Sequence, residues 1–370
     1  MIYLDYSANH PVRKEVLDAF VETESKFYGN ANSLHEAGMA SEKEYERLND
    51  HIYELLGLNP DEYEIIYTSS ATESNNLAIK GVFESYSGFG KKILSSEFEH
   101  NSVNATLSYL KNKGADVQLI DTDENGLMSI TDLENKLSND TILVTLTAIE
   151  SETGTIQDYE KIQEAINRFP NAKLLLDATQ AIGKIKMNLN GIDMVSFAPH
   201  KFGGIIGTGV LIKKKSIILT PLLHGGKSQS LYRSSTLALG LLSSIEKSLS
   251  LAINELNQHY GYVFKLHEKL FCYLQSEKKI LINSKGDFPY IINFSISDKK
   301  GGDTVKYLSE HGICISQKSA CSLTNTPSKP VMAIFHDKKR ALASVRVSLS
   351  YMTTEEEIDI LIDNLKEYIA

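Results

Sequence analysis

Alternation of short apolar runs with helix-like segments, from Tyr63 to Leu211, constrains the fold of this chain more than any other feature. The apolar runs lie at residues 64–67, 92–95, 141–146, 173–176 and 193–197. Strands that alternate with helices predict an α/β domain with a largely parallel or mixed sheet. The runs at 141–146 and 173–176 are apolar with little interruption, which is typical of strands buried on both faces.

The chain changes character after about residue 235, where a second part of the fold begins. A long helical pattern follows, with shorter strand-like pieces at 290–294 and 312–315. The chain ends on an amphipathic helix, and Thr354 with Glu357 has the pattern of a capping box at its start. We therefore predict a large α/β domain followed by a smaller α+β domain.

A formal net charge of -9 argues against non-specific binding of nucleic acid or of an anionic membrane surface, since either needs a basic face. The N-terminus shows no basic stretch followed by an apolar run. No apolar segment approaches the roughly 18 residues that a membrane helix needs. We therefore expect a cytoplasmic protein without a membrane or a direct nucleic-acid partner, and we predict no metal site.

The three cysteines, Cys272, Cys314 and Cys321, form a poor disulfide framework. Cys272 and Cys314 stand among apolar neighbours, so we predict that both belong to the core. Cys321 stands in a polar stretch rich in serine and threonine. An accessible thiol there is nucleophilic if its pKa is lowered, but Cys321 alone is equally compatible with a spectator role.

The strongest local signal combines residues 177–180 (Asp-Ala-Thr-Gln) with His200 and Lys201. Each group follows an apolar run, so both are expected at the carboxyl edge of the sheet, where α/β proteins bind ligands. Such a set suits pyridoxal phosphate, with Lys201 as the Schiff-base lysine and Asp177 keeping the pyridine nitrogen protonated. Gln180 is a candidate donor to the phenolic oxygen, and His200 is a candidate phosphate contact. Taken alone, a lysine at a strand end is more often a solvated charge.

Two further stretches are candidates for phosphate binding. Residues 68–74 follow a predicted strand and open a helix, where backbone N–H groups bind anions, but N-capping by Ser70 or Thr72 also explains the pattern. Residues 224–226 supply two glycines, and 233–236 supply the Thr236 hydroxyl. A tight turn explains this second stretch equally well.

Arg346 interrupts a strand-like run at 344–349. An arginine inside a buried strand is costly unless it is paired. A bidentate clamp on a substrate carboxylate and a structural salt bridge explain this position equally well.

Together these pieces resemble the NifS/IscS-type cysteine desulfurases, in the class V branch of the pyridoxal-phosphate-dependent aminotransferases. The matching motifs, in family order, are LDYSA (4–8), YGN (28–30), ATES (71–74), NLAIKG (76–81), EH (99–100), DATQ (177–180), HK (200–201), HGG (224–226), SAC (319–321), Arg346 and TTEEEID (353–359). The resemblance runs nearly end to end. It implies an aspartate aminotransferase-like (fold type I) large domain at 13–256. Residues 1–12 and 257–370 would form a small α+β domain that carries the Cys321 loop.

The resemblance also implies roles for individual residues. Lys201 would hold the cofactor and move protons, His100 would stack on its ring, and Cys321 would be the nucleophile. The other implied cofactor contacts are Ala71, Thr72, Ser151, Asp177, Gln180, His200 and, from the second subunit of a homodimer, Thr236. Asn30 and Arg346 would hold the substrate carboxylate region. The Cys321 thiolate would attack the sulfur of L-cysteine, which leaves a persulfide on Cys321 and releases L-alanine.

Several positions depart from the family pattern around the cofactor and the substrate mouth. Ser151 replaces an asparagine that normally contacts cofactor and substrate, and Ala198 removes a hydroxyl expected on the phosphate. Lys227 replaces a glycine and is a candidate phosphate-binding cation. Lys318 is a candidate for lowering the pKa of the Cys321 thiol. The other departures include Asn9, His10, Ser350 and Tyr351.

The sequence therefore predicts a cysteine desulfurase that passes persulfide sulfur to an acceptor protein, for Fe–S cluster assembly or tRNA thiolation. Two alternatives stay open. One is another pyridoxal-phosphate-dependent lyase or aminotransferase, such as a selenocysteine lyase, and the other is a degenerate scaffold that binds a sulfur acceptor without turnover. The intact Lys201, Asp177 and Cys321 favour an active enzyme, but the sequence does not name the acceptor.

Overall fold

The computed structural model describes residues 1–226, 230–318 and 326–370. The strands are β1 (Ile2–Tyr3), β2 (Tyr63–Thr68), β3 (Lys92–Ser96), β4 (Asp116–Ile120), β5 (Thr141–Thr147), β6 (Lys173–Asp177), β7 (Met194–Phe197), β8 (Gly209–Lys214), β9 (Ile280–Ile282), β10 (Ile291–Ile296), β11 (Ile313–Cys314) and β12 (Ser344–Ser348). The helices are α1 (Lys14–Lys26), α2 (Glu36–Leu56), α3 (Ala71–Tyr86), α4 (Asn101–Lys111), α5 (Ile130–Lys136), α6 (Tyr159–Ile166), α7 (Leu239–Asn254), α8 (Leu256–Ser276), α9 (Gly301–Glu310), α10 (Lys329–Phe335), α11 (Lys338–Ala343) and α12 (Glu355–Ile369). No helix in the described ranges is both long and apolar enough to cross a membrane.

A seven-stranded sheet occupies the centre of the described chain, in the order β2-β8-β7-β6-β5-β3-β4. Strands β7, β6, β5, β3 and β4 are parallel to one another. Strand β8 runs antiparallel to both of its neighbours, β7 and β2. The five apolar runs identified in the sequence form β2, β3, β5, β6 and β7. The predicted α/β class with a mixed sheet is therefore confirmed.

Helices cover both faces of this sheet, which is why its central strands are apolar. Every residue of β5 is buried. Side chains of β6 alternate between the two faces, with Leu174 and Leu176 in one hydrophobic cluster and Leu175 in the other. Helices α3 and α4 contribute Leu77 and Leu107 to the second cluster. Each fully buried leucine stabilises the fold by about 1.5–3 kcal/mol through the hydrophobic effect.

The strand directions bring five loop segments to one edge of the sheet. Strands β2, β3, β5, β6 and β7 all point the same way, because β2 and β7 are each antiparallel to β8. The carboxyl ends of such strands meet at a common edge, where ligands bind in α/β folds. The segments that follow the five strands are 69–72, 97–100, 148–152, 178–180 and 198–201.

Two smaller sheets accompany the large one in the described ranges. One is antiparallel, in the order β12-β10-β9, and the other is a parallel pair of β1 and β11. The segment after β1 reaches the large sheet, where the backbone N–H of His10 donates to the carbonyl of His200 at 3.0 Å. The predicted capping box of Thr354 and Glu357 is confirmed at the start of α12. The division into domains at 13–256 and its flanks stays a prediction.

The prediction that Cys272 and Cys314 are both core residues is wrong. Cys272 is exposed, and Cys314 is only half-buried. Cys272 lies on α8, whose buried face carries Leu266, Leu270 and Leu274. A position two residues after Leu270 points away from that face, because residues on one helix face are three or four apart. Apolar neighbours in sequence therefore gave the wrong prediction in a helix.

Candidate active site

Asp177 is the last residue of β6 and is buried at the common edge. Its Oδ2 accepts a hydrogen bond from Asn75 Nδ2 at 2.9 Å, and its Oδ1 accepts one from the backbone N–H of Thr179 at 3.0 Å. Hydrogen bonds to an ionised group are among the strongest in proteins. These two donors therefore fix the orientation of the carboxylate.

Asn75 on α3 connects Asp177 to His100 through buried hydrogen bonds. Ser196 Oγ donates to Asn75 Oδ1 at 2.5 Å, and Asn75 Nδ2 also donates to Ser102 Oγ at 2.9 Å. The distance from Ser102 Oγ to His100 Nδ1 is 2.9 Å. The backbone N–H of Ser102 donates to the same nitrogen at 3.1 Å. Since Nδ1 accepts hydrogen bonds, the neutral ring carries its proton on Nε2. Burial lowers the pKa of His100, which favours this neutral form.

Lys201 ends the short helical turn Pro199–Lys201 that follows β7. Its Nζ donates to the carbonyl oxygens of Ser7 and Ala8, at 2.9 and 2.7 Å. Gln180 Nε2 donates to the Ser7 carbonyl at 3.0 Å, so both side chains meet at the N-terminal segment. The structure thus brings Lys201 and Gln180 together, as the sequence predicts.

His200, the neighbour of Lys201, is neutral near pH 7. Burial lowers the pKa of His200 to about 4, and the positive charges of Lys201 and Lys184 act in the same direction. A neutral imidazole binds phosphate only as an N–H donor, because it carries no charge.

The start of α3 is held by its own side chains. Ser70 is the N-cap and accepts a hydrogen bond from the backbone N–H of Glu73, so the capping interpretation of this stretch is correct. Arg233 Nε donates to Glu73 Oε1 at 3.1 Å, which ties the segment around 233 to the same turn. Ala71 and Thr72 are the first residues of α3, and the first N–H groups of a helix have no intrahelical acceptor. An anion at this turn would meet donors without disturbing the cap.

Arg346 is buried in β12, with 1% of its surface exposed. Its Nη2 forms an ion pair with Asp5 Oδ1 at 2.7 Å, and its Nη1 donates to the carbonyl oxygen of Ser151 at 2.8 Å. Ser316 Oγ donates to the other oxygen of Asp5 at 2.7 Å. The salt-bridge alternative is therefore realised in this structure, and the role of Arg346 as a substrate clamp stays a prediction.

Two buried carboxyl groups at the edge received no role from the sequence. Burial, assisted by the nearby charge of Asp177, raises the pKa of Glu99 to about 8. Burial also raises the pKa of Glu150 to about 7, with the charge of Glu152 as the second cause. Glu99 Oε1 accepts the backbone N–H of Thr147 at 2.9 Å. Glu99 stands in the EH motif (99–100) but received no role from it, and the signal for Glu150 was its position shortly after a predicted strand.

Asn75 and Lys184 were also missed, although both belong to stretches that match the family motifs or adjoin them. Asn75 follows the ATES motif, and Lys184 follows DATQ by four residues. Both are polar residues with a buried side chain. Helical spacing relates Asn75 to Ala71 and Thr72, but nothing in the sequence indicates that the side chains of Asn75 and Lys184 are buried.

The structure does not bring Asn30 or Thr236 into this group. Asn30 is exposed, and its Oδ1 accepts a hydrogen bond from the backbone N–H of Asn32 at 3.0 Å. Thr236 is exposed as well. Their implied contacts with substrate and with a second subunit stay predictions.

Cys321 and Lys227 lie outside the described residues. Lys318 is buried, and its Nζ donates to the carbonyl oxygen of Thr326 at 2.9 Å. Ser151 has its Oγ 3.5 Å from Glu150 Oε1. The influence of Lys318 on the Cys321 thiol stays a hypothesis.

The residues at this edge fit pyridoxal phosphate. A lysine amine, a buried oriented carboxylate and a neutral histidine lie at this same sheet edge, and the charges of Lys201 and Asp177 both act on His100, which is the donor set that the cofactor requires. Several buried polar atoms near it have no partner within the described chain. They are Ser7 Oγ, Asn9 Oδ1 and Thr179 Oγ1. Buried polar atoms are normally satisfied, so these atoms are consistent with a polar ligand beside them.

Comparisons with known proteins agree with this site. Residues 2–361 match the family model for aminotransferase class-V. The chain is 34% identical over 366 residues to a NifS/IcsS protein homolog from Lactobacillus delbrueckii subsp. bulgaricus, covering 97% of this chain and 94% of that protein. It is 34% identical over 378 residues to the cysteine desulfurase IscS of Buchnera aphidicola subsp. Baizongia pistaciae, covering 100% and 92%.

Solved structures give the same result. A NifS-like protein superposes with a TM-score of 0.91 at 29% identity, covering 100% of this chain and 99% of that one. SspA in complex with cysteine superposes with a TM-score of 0.80 at 27% identity, covering 96% and 100%.

Proposed function

Because the chain belongs to the class-V aminotransferase family, we propose that it is a pyridoxal-phosphate-dependent cysteine desulfurase of the NifS/IscS type. The observation that carries this proposal is the buried connection from Asp177 through Asn75 to His100, at the same sheet edge as Lys201. The relatives named cysteine desulfurase and the neighbour solved with cysteine supply the substrate, L-cysteine.

When bound, pyridoxal phosphate supplies an electron-accepting ring. Lys201 would hold it and carry protons with Nζ, and Asp177 would keep its ring nitrogen protonated. His100 would face it with the protonated Nε2, because Nδ1 is occupied by Ser102. Ala71, Thr72 and His200 would hold its phosphate, the first two with the N–H groups that start α3.

Arg346 and Asn30 would hold the substrate carboxylate. Arg346 is paired with Asp5, so a substrate carboxylate held by Arg346 would share its guanidinium with Asp5 or replace Asp5. Cys321 would accept the substrate sulfur. The thiol of Cys321 becomes a persulfide and L-cysteine leaves as L-alanine, so that one sulfur atom moves and no oxidant is needed.

We also propose a homodimer in the cytoplasm that passes sulfur to an acceptor protein of Fe–S cluster assembly or tRNA thiolation. Thr236 is exposed, and so are Leu223 and Leu231 on the same segment, with 46% and 60% of their surfaces accessible. Exposed apolar side chains beside a candidate cofactor contact suit a subunit interface. A reducing compartment keeps cysteines free for persulfide chemistry, and Cys272 and Cys314 are free here.

The test is an assay of purified protein supplied with pyridoxal phosphate and L-cysteine. We expect L-alanine release that Lys201→Ala abolishes. Cofactor uptake without alanine release would favour a different reaction on the same cofactor, and failure to bind the cofactor would contradict the proposal. Cys272→Ser is the matched control for the Cys321→Ser variant, since Cys272 is exposed and lies on α8.

A further inference from the structure

The segment after Asp177 forms a turn that directs a second lysine toward the site. Gly183 has a φ of +77°, and a Cβ there would lie 3.0 Å from Cγ of Phe202. Position 183 therefore needs glycine, both for its conformation and for space. Gln180 and Lys184 are four residues apart on this turn, and their side chains lie within hydrogen-bonding distance of each other.

Lys184 is linked to Lys201 through hydrogen bonds. Lys184 is buried, and its Nζ donates to Gln180 Oε1 at 2.7 Å. The amide nitrogen of Gln180 donates to the Ser7 carbonyl, which also accepts from Lys201 Nζ. Both lysines line one small cavity. One amide and one carbonyl therefore separate the two amines.

The groups that face Lys184 are cationic or neutral. Burial, together with the positive charges of Lys201 and Arg346, lowers the pKa of Lys184 to about 7. His10 and His200 also feel its charge, and burial lowers the pKa of each to about 4, so both are neutral near pH 7. Among the described residues, no carboxylate forms an ion pair with Lys184. The amine of Lys184 is therefore only partly protonated near pH 7, and an anion that a ligand brings to this cavity would favour its ammonium form.

We propose that Lys184 is a positioning residue that presents the Gln180 amide to an anionic oxygen of the ligand held by Lys201. This inference rests on the proposed function, in which the anionic oxygen is the phenolic oxygen of pyridoxal phosphate. An ammonium group only donates hydrogen bonds, so it selects the oxygen end of the Gln180 amide. The nitrogen end is then turned toward Ser7 and Lys201, with a second N–H left for the ligand.

The charge of Lys184 has a consequence that can be measured without turnover. An amide N–H that the Lys184 ammonium holds in place favours an anionic oxygen and disfavours a proton on the nitrogen that joins Lys201 to the cofactor. Without the charge of Lys184 the Gln180 amide is not held, and the nitrogen keeps its proton to a higher pH. Lys184→Met retains the length and the apolar stem but lacks the charge, whereas Lys184→Arg retains the charge.

The experiment is a pH titration of the visible absorbance of cofactor-loaded protein, without substrate. We expect Lys184→Met to raise the pH midpoint by about 1 unit, a tenfold change in proton affinity, and Lys184→Arg to restore most of the difference. Gln180→Leu should raise the midpoint too, and the double variant should shift little beyond Gln180→Leu. Lys213→Met is the matched control and should leave the midpoint unchanged. Lys213 is a buried lysine paired with Glu64 at the opposite edge of the sheet.

A wild-type midpoint in cofactor-loaded Lys184→Met overturns this inference and leaves the proposed function intact. Lys184→Gln is measured in parallel, so that one neutral variant remains if the other does not fold, and a wild-type midpoint there has the same meaning. A double variant that shifts by the sum of both single shifts overturns the connection through Gln180. Wild-type protein that takes up no cofactor contradicts the proposed function instead.

Discussion

Replacing Asn75 by alanine is expected to destabilise the chain more than any other single amide truncation on α3. The Asn75 side chain donates to Asp177 Oδ2 and Ser102 Oγ and accepts from Ser196 Oγ, and all four residues are buried. The bond to a carboxylate is worth about 1.5–3 kcal/mol and each neutral bond about 1 kcal/mol. Because these residues are buried, water has little access to the groups that lose their partners. We therefore expect the free energy of unfolding to fall by about 4 kcal/mol.

Urea unfolding of the cofactor-free protein measures this loss. Asn76→Ala is the matched control, because Asn76 is the next residue on α3 and its Nδ2 donates only to the Thr72 carbonyl of the same helix, at an exposed position. We expect this control to cost no more than about 0.5 kcal/mol. A loss for Asn75→Ala within about 1 kcal/mol of the control would refute the idea that the Asn75 amide holds this edge together.

Three further changes test other parts of the structure. Asp5→Ala leaves the buried guanidinium of Arg346 without its anion, and we expect urea unfolding to show a loss of about 3 kcal/mol; a neutral result would mean that Asp5 is not its necessary partner. Thr354→Ala removes the capping box with Glu357 and should cost about 1 kcal/mol in the same assay, with no effect on cofactor uptake. Burial raises the pKa of Glu99 from its ordinary 4.5 to about 8, so the folded chain retains a proton that the unfolded chain has lost at neutral pH. The stability contributed by this group therefore falls as the pH rises from about 4.5 to about 8, and Glu99→Gln should flatten the measured dependence of stability on pH over that range.

The central sheet was predictable because its strands are buried on both faces. Strands β5 and β6 read as apolar runs for this reason, and Asp177 could be placed at a strand end from the run that precedes it. The antiparallel direction of β8 could not be predicted in this way, because an apolar run carries no information on direction.

Prediction of the site was less complete, since polar residues do not reveal from sequence which partner they meet. Lys201, Gln180 and Asp177 were found because a motif pointed to them. Lys184 and Asn75 were missed, because their function depends on burial beside those residues, which only the three-dimensional arrangement provides. The apolar neighbours of Cys272 in the sequence also gave a wrong prediction of burial, because the helix places Cys272 on its solvent-exposed face.

Single turnover with L-cysteine tests the central claim most directly. Cofactor-loaded protein is mixed with substoichiometric L-cysteine, and mass spectrometry of the peptide that contains Cys321 is combined with quantification of L-alanine. The proposed function predicts one added sulfur atom on Cys321 for each L-alanine released, and neither product in Lys201→Ala. L-alanine release in wild-type protein with no sulfur on Cys321 would contradict the assignment of Cys321, and the absence of L-alanine would contradict desulfuration of cysteine itself.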